Sequence, residues 1–237
     1  MCVGVFSAAS RVQWIGMSQP IQLYSLATPN GQKVSIALEE MGLAYEAHCI
    51  DITKGEQKTA EFLAMNPNGK IPVIVDPDGP GGEPLTIMES GAILLYLAEK
   101  SGQFLPTEPA ERSRTLQWLF FQAAHVGPMF GQFGHFFAHA GKEACDHLYP
   151  LERYEGETKR ILGILNDQLE WNEFIAGPAY TIADMAIFPW VGCLDWAYGA
   201  RERLALDSFT HVRRWHEACT SSDAAQRGAA VCPVPGM

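Results

Sequence analysis

The turn Thr28-Pro29-Asn30-Gly31 is a point in the chain where residue type and position suggest chemistry. It follows a predicted strand and opens a predicted helix, so the first helix N–H groups and the helix macrodipole would favour an anion there, such as a thiolate. No cysteine lies near the turn. The same four residues also suit a plain turn with a helix cap, and the pattern alone leaves both interpretations open.

The strands and helices that would position this turn follow from hydrophobic spacing. Residues 21 to 25 alternate as in a strand, and the apolar residues from Val34 to Met41 recur at helical spacing, with Gly42 placed to end the helix. Further strands are predicted at 45–50, 71–75 and 85–88, and Ser90 can cap the helix that follows. The order is β-α-β then β-β-α, which predicts a mixed four-stranded sheet in a thioredoxin-like arrangement.

The pattern changes after Leu105-Pro106. Only helical spacing follows, for example over 112–124 and 154–172. The predicted fold class is therefore α/β plus all-α. We expect an N-terminal extension at 1–20, a thioredoxin-like domain at 21–106 and an all-helical domain at 107–237, with Met17 as a possible true start.

Composition excludes several classes of partner. The chain has 27 acidic and 17 basic residues, a net charge of −10, which is the wrong sign for binding nucleic acid or an anionic membrane. No apolar run reaches the roughly 18 residues of a membrane span, and no basic segment precedes a signal-like stretch. The six cysteines form no C-x-x-C pair. We expect reduced thiols and a cytoplasmic location.

Three further motifs make a family resemblance specific. Gly69-Lys70-Ile71-Pro72-Val73 looks like a cis-proline loop, Glu89-Ser90-Gly91 like a γ-glutamyl-binding turn, and Thr181-Ile182-Ala183-Asp184 like a helix-capping box. Together with the first turn, they make the chain resemble the cytosolic glutathione transferases from about residue 21 to 220. Thr28 to Gly31 and Pro150 to Tyr154 most resemble the Nu class, which is associated with glutathione-dependent disulfide reduction.

The resemblance implies that the missing thiol is supplied by glutathione, as a co-substrate. Thr28 would donate a hydrogen bond to its sulfur, and Asn30, by its side chain or backbone N–H, would help to hold it. Tyr24 is more simply a packing residue on the strand, and Ser25 stays an outside candidate for the thiolate contact.

The resemblance also implies a set of glutathione-binding residues. A cis Ile71-Pro72 bond would turn the Ile71 backbone outward to the cysteinyl main chain, although an edge-strand proline is the plainer alternative. Lys70 would bind the glycyl carboxylate, while Glu89 and Ser90 would bind the γ-glutamyl ammonium and carboxylate, unless they only cap a helix. The remaining expected contacts are Gln57 and, reaching the other subunit of a homodimer, Arg153, whose alternative role is a surface ion pair.

The stretch from Phe130 to His139 is rich in aromatic residues. His135 and His139 are four positions apart, but no glutamate completes a zinc motif, so we expect no metal. The phenylalanines favour a packed core, and the stretch departs from the asparagine- and histidine-rich form associated with the resembled class. Whether it forms that class's usual pocket stays open.

The sequence therefore predicts a homodimeric, glutathione-dependent enzyme that reduces small disulfides, with weaker conjugation to electrophiles. Two alternatives remain at this point. One is a conventional glutathione transferase acting on electrophiles, and the other is a non-catalytic binding or regulatory protein of the same fold.

Overall fold

The computed structural model describes residues 19–139 and 141–234. The predicted N-terminal extension, including Met17, lies almost entirely outside these residues. The described chain begins with a four-stranded sheet made of β1 (Ile21–Ser25), β2 (Tyr45–Cys49), β3 (Val73–Asp76) and β4 (Leu85–Met88). The spatial order is β2-β1-β3-β4, with β1 parallel to β2 and the other pairs antiparallel, which confirms the predicted mixed sheet.

Three helices accompany the sheet, namely α1 (Pro29–Glu40), α2 (Ala60–Met65) and α3 (Ser90–Ser101). The later helices are α4 (Pro109–Phe121), α5 (Gly127–Phe137), α6 (Gly141–Ala144), α7 (Tyr149–Glu170), α8 (Ile182–Trp196), α9 (Thr210–Thr220) and α10 (Asp223–Ala229). A single π-helical turn, Gln122–Val126, joins α4 to α5. Such turns are often found at functional sites.

Two expectations at element boundaries are wrong. The third strand begins at Val73 rather than Ile71, and it lies inside the sheet, so Pro72 precedes an interior strand instead of occupying an edge. A proline inside β3 would remove a hydrogen bond of the ladder. Ser90 is the first helical residue of α3, and Glu89 holds the N-cap position.

Helix α8 joins the two hydrophobic cores of the described chain. Its Ile182, Met185 and Ala186 pack with the sheet, α1 and α3, whereas Ile187 and Leu194 pack with α5, α7 and α9. The predicted capping box at its start is confirmed, because the Thr181 side chain accepts from the helix and Asp184 accepts from the Thr181 backbone N–H. The capping box thus fixes the start of the helix that packs in both hydrophobic cores.

A disulfide joins Cys49, at the end of β2, to Cys232, which follows α10. The expectation of reduced thiols is therefore wrong for this pair. The physical reason is the path of the C-terminal segment: the backbone N–H of Ala27 donates to the Cys232 carbonyl over 2.8 Å, so the segment runs beside the β1–α1 connection. With 183 positions between the two cysteines, no local spacing could indicate this approach.

Candidate active site

A cavity of about 290 Å³ opens where the start of α1, the loop before β3 and the start of α3 meet. Six of the predicted site residues line it together with two asparagines that the sequence analysis did not single out. The lining is Asn30, Asn66, Asn68, Lys70, Ile71, Pro72, Glu89 and Ser90. We call this cavity the groove.

The loop on one side of the groove carries the Ile71–Pro72 peptide bond, which is cis. Asn66 holds this loop from within. Its side chain is 1% exposed, its Nδ2 donates to the Lys70 carbonyl over 2.7 Å, and its Oδ1 accepts from the Asn68 N–H over 3.0 Å. The buried amide therefore fixes the backbone that presents Ile71 to the groove.

The opposite side of the groove is the start of α3. Glu89 has φ 71°, a left-handed conformation that residues with a side chain seldom adopt and that is concentrated at functional sites. This backbone places an exposed carboxylate beside the first turn of the helix, next to the Ser90 hydroxyl. A carboxylate and a helix N-terminus side by side suit an amino acid head group, whose two charges are opposite.

The first turn of α1 closes the third side of the groove. Thr28 is the N-cap, and its Oγ1 accepts from the Gly31 N–H over 3.4 Å, so its O–H remains a separate donor. A Cβ on Gly31 would lie 1.9 Å from the Leu26 carbonyl oxygen, so this tight approach requires glycine. Thr28 itself does not line the groove, although Asn30, two residues later, does.

Trp190 of α8 orients the Asn30 side chain. Its Nε1 donates to Asn30 Oδ1 over 3.0 Å, which engages the amide oxygen and leaves the NH₂ group as the donor available to a ligand. Sequence reasoning missed Trp190, because 160 positions separate the two residues and no local pattern connects them.

Trp190→Phe is expected to lower turnover of a bound thiol substrate roughly fivefold, because a neutral hydrogen bond contributes about 1 kcal/mol and its loss lets the amide rotate. Steady-state kinetics measures the effect. Trp171→Phe is the matched control, since Trp171 is 82% exposed. Equal losses in the two variants would contradict the positioning role of Trp190.

A second cavity, of about 330 Å³, adjoins the groove and shares Asn30, Glu89 and Ser90 with it. Its remaining lining is Lys33, Gly91, Gln122, Ala123, Gly127, Pro128, Gly131, Gln132 and Trp190. The two glutamines make one wall polar. A Cβ at Gly127 would lie 2.9 Å from Gln122 Nε2, so a larger residue there would have to displace the Gln122 amide.

Lys33 is the charged residue buried beside these cavities, with 1% of its surface exposed. Its Nζ donates to Gln122 Oε1 over 2.6 Å and to Ser90 Oγ over 3.2 Å. Burial lowers the pKa of Lys33 well below its usual value, and the Glu89 carboxylate opposes this shift. Sequence reasoning passed over Lys33, because a lysine within an amphipathic helix is usually exposed.

Four other candidate residues lie away from both cavities. Gln57 lies near the loop that carries Gly69, and its Oε1 is buried without a partner among the described residues. Arg153 is exposed on α7. The Tyr24 ring stacks on His48 at 4.6 Å, as expected for a packing residue, and Ser25 is buried with its hydroxyl donating to the Leu26 carbonyl.

The aromatic stretch 130–139 divides between two roles. Phe130 and Phe133 are fully buried in the helical core, which confirms the packing interpretation, whereas Gly131 and Gln132 line the second cavity. Within 19–139 and 141–234, no group of three or more potential metal ligands comes together.

Cysteine thiols of the described chain line neither cavity. Burial raises the pKa of Cys193 to about 12, and it raises that of Cys219 as well, so both are poor nucleophiles. Cys145 is partly exposed and donates to the His147 carbonyl. None of the cysteines in 19–139 and 141–234 is therefore placed to supply a thiolate at the start of α1, a position that suits the thiol of a ligand.

Comparison with known families agrees with this geometry. Residues 27–100 match the glutathione S-transferase N-terminal domain, and residues 149–223 match the glutathione S-transferase C-terminal domain. The chain belongs to the glutathione S-transferase family. As a glutathione S-transferase, it has the expected thioredoxin-like sheet domain followed by a helical domain.

One curated relative and two solved structures are similar to this chain over most of its length. This glutathione S-transferase is 47% identical over 205 residues to the disulfide-bond oxidoreductase YfcG of Escherichia coli K12, covering 86% of this chain and 92% of the relative. A family member from Pseudomonas fluorescens Pf-5, solved with two glutathione bound, has a TM-score of 0.87 and 52% identity, covering 89% and 92%. A glutathione transferase from Pseudomonas putida, solved with one glutathione disulfide per subunit, has a TM-score of 0.87 and 50% identity, covering 92% of each chain.

Among the described residues, no helix combines the length and the apolar character needed to cross a bilayer.

Proposed function

We propose that this protein binds glutathione in the groove and uses its thiolate to reduce disulfides. The observation that carries the proposal is the convergence of Asn30, the cis Ile71–Pro72 loop and Glu89-Ser90 on one cavity, which none of the cysteines that the structure describes lines. The disulfide-bond oxidoreductase that is 47% identical over most of both chains supports the same activity.

In the proposed complex, glutathione lies extended across the groove. Its γ-glutamyl ammonium pairs with Glu89, and its carboxylate takes the Ser90 hydroxyl and the first N–H groups of α3. The backbone of Ile71 pairs with the cysteinyl main chain, and Lys70 pairs with the glycyl carboxylate. This orientation directs the sulfur toward the start of α1, where Thr28 and Asn30 provide donors.

The proposed reaction is thiol–disulfide exchange in two steps. The glutathione thiolate attacks one sulfur of the substrate disulfide, forming a mixed disulfide and releasing one substrate thiolate. A second glutathione thiolate then attacks the glutathione sulfur of the mixed disulfide, releasing glutathione disulfide and the other substrate thiolate. Solvent protonates the released thiolates, so two glutathiones supply the two electrons.

The second cavity suits the second glutathione of this reaction. The Gln122 NH₂ group, whose amide oxygen already accepts from Lys33, and the Gln132 amide are hydrogen-bond partners for a peptide, whereas an apolar electrophile would offer a bond to neither. Relatives solved with two glutathione, or with glutathione disulfide, support this occupancy. Conjugation to electrophiles is proposed as a weaker activity, because it would use the same thiolate without these amides.

The test of the proposed function combines binding with turnover. Glutathione at a hundredfold excess over its dissociation constant is expected to stabilise the folded protein by about 2.7 kcal/mol, seen as a higher melting temperature, and the protein is expected to reduce hydroxyethyl disulfide. Ser90→Ala and Glu89→Gln are expected to weaken both effects. Glu83→Gln, at an exposed loop carboxylate, is the matched control.

Two results would reject the proposal. One is the absence of any melting shift or turnover at millimolar glutathione. The other is loss of activity when Cys145, or any other single cysteine, becomes serine while glutathione still binds, because a protein thiol would then carry the reaction.

We further propose that the protein acts as a homodimer in which Arg153 reaches the partner's glutathione. Arg153→Ala is then expected to weaken glutathione binding about tenfold, the value of one charge-assisted hydrogen bond, while sedimentation still shows a dimer. Arg160→Ala, which removes an exposed ion pair with Glu157, is the control and is expected to change little. A monomeric wild type would contradict this proposal.

A cytoplasmic location also stays a prediction, supported by the need for reduced glutathione.

A further inference from the structure

The buried amine of Lys33 connects three elements behind the groove. Its Nζ bonds the Ser90 hydroxyl at the start of α3 and the Gln122 amide oxygen in the π-helical turn, while its own backbone belongs to α1. Ser90 lines both cavities, and Lys33 lines the second one. The amine therefore lies directly behind the hydroxyl that faces the ligand.

Both partners of Lys33 are neutral, and together they use two of its N–H donors. A neutral amine has two N–H donors, so these bonds use all of its donors. An ammonium would carry a third N–H and a full charge, and neither of its bonded partners offers that charge a counter-ion, while the Glu89 carboxylate only partly offsets the cost of burying it. Protonation of Lys33 becomes favourable when an anion comes close.

Glu89 is the charged group that acts on Lys33. The elements packed against α1 are α3, α8 and α10. The remaining charged residues of these helices, and the histidine of the π-helical turn, interact with groups other than Lys33. These engagements are Glu99 with Arg112, Lys100 with Asp76, Asp184 with Trp215, Asp195 with Arg201, Arg227 with Glu39 and Asp223, and His125 with Glu157.

We propose that Lys33 is a positioning residue for glutathione, which holds Ser90 and Gln122 in place and takes up one proton from solvent when a carboxylate binds at Ser90. The proton adds to the amine, giving an ammonium, and no other bond forms or breaks. This inference rests on the proposed function, because the carboxylate is that of the γ-glutamyl end. Lys33 thereby becomes the counter-ion of the bound carboxylate.

The experiment measures proton uptake on binding by titration calorimetry in two buffers of different ionisation enthalpy. The probe is S-methylglutathione, whose blocked sulfur releases no proton. Over about pH 6 to about pH 9, between the ordinary pKa values of carboxyl groups and lysine, wild type is expected to show net uptake that approaches one proton at its maximum. Lys33→Met is expected to lose this uptake and to bind about tenfold more weakly, as the loss of one charged hydrogen bond implies.

Lys142→Met, at an exposed lysine of α6, is the control and is expected to keep both uptake and affinity. The ligand's amino group can also change its protonation on binding. Subtracting the proton uptake of Lys33→Met from that of wild type cancels this contribution. Wild type alone tests the proposal if Lys33→Met does not fold, because binding without net uptake at every pH would overturn it. Uptake unchanged in Lys33→Met would also overturn it, whereas a complete lack of binding would reject the proposed function itself.

Discussion

Thr28→Ala is expected to lower disulfide-reductase turnover by roughly tenfold to a hundredfold. A hydrogen bond from the Thr28 hydroxyl to the glutathione thiolate is a charge-assisted bond worth about 1.5 to 3 kcal/mol, and it favours the ionised form of the sulfur. Steady-state reduction of hydroxyethyl disulfide measures the loss. The ultraviolet absorbance of the bound thiolate, followed against pH, is expected to show a higher thiol pKa in the variant.

Thr28→Ser separates this role from helix capping. Thr28 Oγ1 also caps α1 by accepting from Gly31, a contact that contributes about 1 kcal/mol to stability and that alanine removes as well. Serine keeps both the cap and the donor, so near-normal turnover is expected. Tyr24→Phe, in which the ring can still stack on His48, is expected to cost much less. Full turnover in Thr28→Ala would show that the hydroxyl is only a cap.

Asp184→Ala is expected to destabilise the protein by about 3 to 5 kcal/mol, which lowers the melting temperature on the order of 10 °C for a chain of this size. The buried carboxylate accepts from the Ile175 N–H and from Trp215 Nε1, each over 2.8 Å, and from the backbone and hydroxyl of Thr181. Alanine leaves these donors buried without an acceptor. Urea unfolding or calorimetry measures the change.

Asp184→Asn provides the pH test of the same site. Burial raises the pKa of Asp184, despite the hydrogen bonds that lower it. A carboxyl whose pKa is raised on folding binds its proton more tightly in the folded state, so its contribution to stability falls as pH rises from the unfolded to the folded pKa. Asparagine is expected to remove that dependence.

The control for Asp184→Ala is Asp167→Ala, at an exposed carboxylate of α7, which is expected to change stability by less than about 0.5 kcal/mol. An equal effect of the two alanine variants would contradict the role of Asp184.

Local patterns were sufficient to predict much of the fold. The alternation over residues 21 to 25 predicts β1, and the apolar residues at helical spacing after Gly31 predict α1. The spacing of Thr181 and Asp184 predicts the capping box. The start of β3 was predicted two residues too early, because apolar spacing over 71–75 does not distinguish the Ile71–Pro72 loop from the strand that begins at Val73. Glu89 was expected as a ligand contact, but its left-handed backbone was not.

The candidate site was only partly predictable from the sequence, because some of its contacts join distant parts of the chain. Asn30, Lys70 and Ser90 stand in recognisable motifs, and the structure brings them to one groove. Trp190 and Gln122 reach the site from the helical domain, and their contacts with Asn30 and Lys33 cross 160 and 89 positions. A pairing between buried side chains of distant elements depends on packing, which a single sequence does not display.

The Cys49–Cys232 bond makes most of the molecule a covalent ring. The ring includes Ile71–Pro72, Glu89 and Ser90, whereas Thr28 and Asn30 lie on the segment before it. One protease cut inside the ring, for example in the exposed turn at Pro80–Gly82, would leave a single species on a non-reducing gel and two fragments after reduction. A cut between Asn30 and Cys49 would instead separate both thiolate donors covalently from the rest of the groove, so the position of a nick decides whether the two halves of the site stay linked.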